Sequence, residues 1–75
     1  MDELYVVIEL QKNGNQRANI VTSHNSLASA QNKFYTVAAF AAISTVEKHS
    51  VVLLNEDGIL VERKTFDHAV VESEE

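Results

Sequence analysis

The stretch Lys33-Phe34-Tyr35-Thr36-Val37-Ala38-Ala39-Phe40-Ala41-Ala42-Ile43-Ser44 decides the fold. It reads as a helix that becomes apolar on nearly every side in its second half. The polar run Thr22-Ser23-His24-Asn25-Ser26 lies ahead of it and is rich in capping side chains, with Asn25 or Ser26 as the N-cap. The spacing predicts one helix from about Leu27 to Thr45. At helical periodicity Leu27, Ala30, Phe34, Val37, Ala38 and Ala41 form one stripe, which is expected to pack on a sheet. The far side is polar at Gln31, Asn32 and Lys33. It then turns apolar at Ala39, Phe40 and Ile43, where a solvent-facing helix would show charges. Tyr35, Ala39, Phe40 and Ile43 are the expected interface residues.

Outward from the helix, two strand pairs are expected. Leu4 to Leu10 alternates, with Leu4, Val6, Ile8 and Leu10 expected toward the core, and Tyr5 and Val7 half covered on the other side. Asn13-Gly14 marks a tight turn, and Arg17 to Ser23 follows as an edge strand, with Arg17 and Asn19 blunting the edge. Beyond the helix, Val51-Val52-Leu53-Leu54 predicts a central strand covered on both faces. Asn55-Glu56-Asp57-Gly58 is a second turn, and Ile59 to Phe66 is the last strand. There Ile59, Val61 and Arg63 are expected on one face, and Leu60, Glu62 and Lys64 on the other. The order β-β-α-β-β predicts an α+β two-layer sandwich, one long helix on a four-stranded, mainly antiparallel sheet. If the helix crosses over, the first and third strands become central neighbours.

Seventy-five residues make a single domain, 1–75, with an ordered core of about 4–68 and a frayed acidic tail over 69–75. A chain this short buries only about 60% of the surface its unfolded form exposes. One helix covers one sheet face, so self-association is expected, as a homodimer or a higher assembly. Cysteine is absent, which excludes disulfides and thiolate metal sites. No apolar run approaches the ~20 residues that span a bilayer, so no membrane contact is expected. The start Met1-Asp2-Glu3 lacks the basic region of a signal peptide, and a cytoplasmic location is expected.

Eleven acids stand against 6 bases, and the bases lie scattered along the chain. That disfavours direct nucleic-acid binding, which needs clustered cations. His24 and His49 should sit at opposite ends of the helix, roughly 30 Å apart by helix rise, too far to share one metal. No metal and no cofactor are therefore expected. Glu9, Glu47 and Glu62 are the candidate carboxylates for acid–base work, but a strand glutamate commonly faces solvent, away from the core. No nucleophile-elbow pattern and no glycine-rich phosphate loop occur. No enzymatic activity is expected.

The segments Ala30-Gln31-Asn32-Lys33-Phe34-Tyr35, Ala38 to Ser44, His49-Ser50-Val51-Val52-Leu53-Leu54 and Asn55-Glu56-Asp57-Gly58 resemble very small proteins of bacteriophages and prophages of gut Firmicutes. The resemblance covers roughly residues 4 to 68 and carries no activity to transfer. It implies an accessory factor that binds a host protein. Two functional classes follow. One is a non-enzymatic homo-oligomeric interaction module. The other is an oligomeric sponge for a small anionic ligand such as a nucleotide signal, held by His24, Ser26, Lys33 and His49.

Overall fold

The computed structural model describes residues 3–68. The expected tail, 69–75, lies outside the described residues. The elements run β1 (Tyr5–Asn13), β2 (Gln16–His24), α1 (Leu27–Ile43), β3 (Lys48–Asn55) and β4 (Leu60–Asp67). All neighbouring strands pair antiparallel in the order β2-β1-β3-β4, so the fold is α+β with one long helix on a four-stranded sheet. β1 and β3 are the central neighbours and β2 is an edge. This is the arrangement expected if the helix crosses from one hairpin to the other.

Two glycines make the hairpins possible. Gly14 (φ 65°) is the first of the two residues between the paired positions Asn13 and Gln16. No other residue type has positive φ among the described residues, so Asn15 sits in the ordinary region, the pattern of a II′ hairpin. The turn therefore rests on Gly14 with Asn15, one residue along from the Asn-Gly pair read in the sequence. Gly58 (φ 77°) closes the second turn, where its N–H donates to the Asn55 carbonyl at 2.9 Å.

Ser26 is the N-cap, and its Oγ accepts from the Ser29 N–H at 3.2 Å. The helix stops at Ile43, two residues short of expectation. Ser44 turns extended (φ −77°, ψ 164°) and its N–H closes on the Ala41 carbonyl at 3.3 Å.

The core lies between α1 and one face of β1 and β3. Ala30, Phe34, Val37 and Ala38 of the helix pack on Val7, Val51 and Leu53, with Tyr5 and Phe66 at the margin. Small residues let the helix approach the sheet, and Phe34 fills the space that they leave. Phe34 and Leu53 are fully buried, and each contributes about 1.5–3 kcal/mol by leaving water. Leu27, expected in this stripe, remains exposed at the first turn.

The face of β1 is opposite to the one expected. Val7 is buried under the helix, and Glu9 and Gln11 lie on its side of the sheet. Leu10 is exposed, and Val6 and Ile8 are half-buried on the open side. The reason is that β3 is apolar on both faces and gives no sign of which is inner. The choice is made by the helix and by a polar network that needs Glu9 inside. The alternation of β4 also breaks. A register shift between Leu53 and Leu54 pairs Leu53 with Glu62 but Leu54 with Leu60, so Val61 is left as an extra residue. Leu60 thereby joins the open face, while Glu62 stays under the helix. Ile59 falls outside the strand. β3 is central, as expected, but only Val51 and Leu53 are fully covered; Val52 and Leu54 are half-buried on the open side.

Candidate functional site

Glu9 and Glu62 do not face open solvent away from the helix; both point to its side of the sheet. In the antiparallel register Glu9 lies opposite Val51 and Gln11 opposite His49, so Glu9 and His49 are diagonal neighbours. His49 Nε2 is 2.6 Å from Glu9 Oε2, and His49 Nδ1 is 2.9 Å from Ser44 Oγ. The Val46 N–H reaches the same Ser44 Oγ at 3.4 Å, which leaves the hydroxyl proton for Nδ1. In that tautomer the Nε2–H donates to Glu9. Gln11 Nε2 also donates to Glu9 Oε2, at 2.9 Å. Burial raises the Glu9 pKa. The hydrogen bonds from His49 and Gln11, with the electrostatic pull of the imidazole and of the Lys33 ammonium, outweigh burial and leave it below the usual carboxylate range.

A serine, a histidine and a carboxylate in series can in principle pass a proton. His49 is 1% exposed, and both its ring nitrogens are already engaged. Ser44 caps the helix C-terminus, where the dipole is negative and carbonyls gather, the reverse of what an oxyanion needs. The network ties the end of the helix to the two central strands.

Glu9 also forms the floor of a groove between the helix and β2. The groove, about 590 Å³, is walled by Thr36, Ala39, Phe40 and Ile43 on the helix and Ile20 on β2, with Lys33 at one end. Phe40 (64% exposed) and Ile43 (79%) stand open to solvent, as the sequence led one to expect. Tyr35 does not belong with them. Its hydroxyl donates to Glu62 Oε1 at 2.5 Å over β4, and Gln31 Nε2 donates to the other oxygen of Glu62 at 3.3 Å. That hydrogen bond to Glu62 raises the Tyr35 pKa, helped by partial desolvation and the carboxylate charge.

Of the four residues expected to hold an anion, His24 and Lys33 border one cavity, and His49 does not join them. His24 and Ser26 lie at the helix N-terminus. His24 is engaged at both ring nitrogens, with Thr22 Oγ1 at 2.9 Å and Ser29 Oγ at 3.0 Å. The Ser26 hydroxyl is the cap. Lys33 borders a shallow cavity beside His24 and Ser29. His49 is enclosed beyond the other end of the helix, so it cannot meet a ligand at a subunit junction. Glu47 is a stitch: its Oε1 accepts from the Gly14 N–H at 3.0 Å, and its own N–H donates to Asn13 Oδ1 at 3.3 Å. Among the described residues no group of three or more His, Asp or Glu could hold a metal ion, and no helix is long and apolar enough to cross a membrane.

The sequence led one to expect a second sheet face left partly apolar by Tyr5, Val7, Val52 and Leu54; Val52 and Leu54 do lie on it, but Val6, Ile8 and Leu10 take the place of Tyr5 and Val7. The pairing register builds this face in rows. Ser23, Val6, Leu54 and Leu60 form one; Val21, Ile8, Val52 and Arg63 the next; Asn19, Leu10, Ser50 and Thr65 the third. The last row is Arg17, Lys12, Lys48 and Asp67. Bases that lie scattered in the sequence thus stand side by side at one end of an apolar surface. The signal was present in the two-residue period of each strand, but it needed the register to be seen.

No protein-family model matches this chain, and neither a curated protein nor a solved structure matches it.

Proposed function

We propose that the chain is a non-enzymatic, homo-oligomeric protein-interaction module. The observation that carries this reading is the open sheet face, where Val6, Ile8, Leu10, Val21, Val52, Leu54 and Leu60 form a continuous apolar surface. The chain has one helix, and it lies on the other side. A monomer would keep this surface in water, whereas association removes it. The groove wall of Ala39, Phe40 and Ile43 is the second contact surface, through which a partner protein such as a host factor would be held. The enclosure of His49 and the position of Ser44 at a helix C-terminus support a structural role for the one histidine–carboxylate pair. The separation of His24, Ser26 and Lys33 from His49 weighs against a small-anion sponge.

Native mass spectrometry of protein purified from cells tests the reading. A dimer or higher species without an adduct is expected. A monomer at micromolar concentration would overturn it. A stoichiometric small-molecule adduct would replace it with the ligand-binding alternative.

A further inference from the structure

We propose that the occupant of the open sheet face is a second copy of this chain, packed face to face with its strands antiparallel to the first. The inference rests on the self-association reading above and adds a geometry to it.

The face is electrostatically lopsided along its strands. One end carries Lys12, Arg17 and Lys48 in a row, all exposed, with Asp67 beside Lys48. The other end of the sheet carries Glu3, Glu56 and Asp57 just outside β1 and β3, gathered with Leu4, Tyr5 and Asn55. Between them lie the apolar rows. A surface with a basic end, an apolar middle and an acidic end is complementary to itself when turned end for end.

One two-fold axis does this. It runs between the two sheets, across the strands, at the row that contains Ile8 and Val52. Turning the chain about it lays each strand over its own copy in reverse. Val52 then meets Val52, Ile8 meets Ile8, and Leu10 meets Val6 of the second copy. Lys48 at the start of β3 comes toward the far end of the same strand in the second copy, where the turn after Asn55 carries the exposed Glu56. Arg63 meets its own copy, but at the β4 rim, where long side chains can turn to water. Four strands at standard spacing and rise give a footprint of about 19 by 30 Å, near the lower end of the range for specific interfaces. The result is a β-sandwich with the helices outside, so both grooves remain open.

Nucleic acid is the competing occupant of a face with three aligned cations. Sheets that read single strands do so with exposed aromatics, on which bases stack. The aromatic side chains on this sheet, Tyr5 and Phe66, pack against the core on the helix side, and the open face presents aliphatic residues.

The test is charge exchange in the full chain, read by sedimentation equilibrium, with circular dichroism to confirm folding. Both positions are exposed, so the variants should fold. Lys48→Glu and Glu56→Lys each place like charges together and should raise the dimer dissociation constant by about tenfold or more. The double variant restores opposite charges and should recover most of the loss. A wild-type dimer that neither single change weakens would overturn this geometry and leave self-association standing. Single changes that weaken the dimer without rescue in the double variant would overturn the antiparallel arrangement. A monomeric wild type would overturn both proposals. A monomer that binds a single-stranded oligonucleotide, and loses it on Lys12→Glu, would assign the face to nucleic acid instead.

Discussion

His49 on β3 and Glu9 on β1 meet at 2.6 Å beneath the helix, and the pair occupies positions where an antiparallel sheet core would ordinarily carry two apolar side chains. Their contact is satisfied all round: Ser44 completes the imidazole and Gln11 shares the carboxylate. Among the described residues no buried side-chain nitrogen or oxygen lacks a partner. Such a network is stable as a whole and costly to break singly.

Glu9→Ala should therefore destabilise the fold by about 1–3 kcal/mol, because it leaves the buried Nε2–H of His49 without an acceptor. Urea denaturation at neutral pH measures it. Glu9→Gln keeps an acceptor oxygen and should cost less.

The acid dependence of Glu9 has a definite sign. Its pKa is lower in the folded chain, so the unfolded state binds more protons as pH falls. Its contribution is fully present above the ordinary glutamate pKa of about 4.3 and is lost as pH drops through the lower folded value. The stability gap between wild type and Glu9→Gln should narrow with acidification over that window. A gap that widens there would contradict the assignment.

Tyr35 should ionise at a higher pH than a free tyrosine, because its hydroxyl donates to the Glu62 carboxylate. In a Tyr5→Phe background, titration of the tyrosinate absorbance isolates Tyr35. Glu62→Gln should move that titration down toward the ordinary value of about 10.

Core and groove should separate cleanly on mutation. Phe34→Ala empties a fully buried site and should cost about 3–5 kcal/mol. Phe40→Glu with Ile43→Lys changes two exposed side chains and should shift stability by no more than about 0.5 kcal/mol for each change. Thermal melts followed by circular dichroism compare the two. Loss of a partner protein by the groove variant, with its melt unchanged, would mark Phe40 and Ile43 as contact residues.

Gly14→Ala meets no steric obstacle, since nothing lies within 4 Å of an added Cβ. It still forces positive φ on a residue that disfavours it, and should cost about 1–2 kcal/mol. A neutral result would mean that the hairpin relaxes to another turn.

The sequence by itself determined the element order, the helix with most of its buried stripe, a cap at Asn25 or Ser26, the two turn regions and the exposure of Phe40 and Ile43. These follow from local periodicity and from turn and capping chemistry, which act within a few residues of one another. It pointed to the wrong inner face of β1. Leu4, Val6, Ile8 and Leu10 make the more apolar set, whereas Tyr5 and Val7 share their face with Glu9 and Gln11, and β3, apolar on both sides, gives no local sign against that choice. The tertiary structure decided it, by setting Glu9 beside His49 and pressing the helix onto Val7, Val51 and Leu53. The same register carried Lys12, Arg17 and Lys48, up to thirty-six positions apart in the chain, into one row. Contacts between distant segments depend on strand pairing, and no local propensity encodes them.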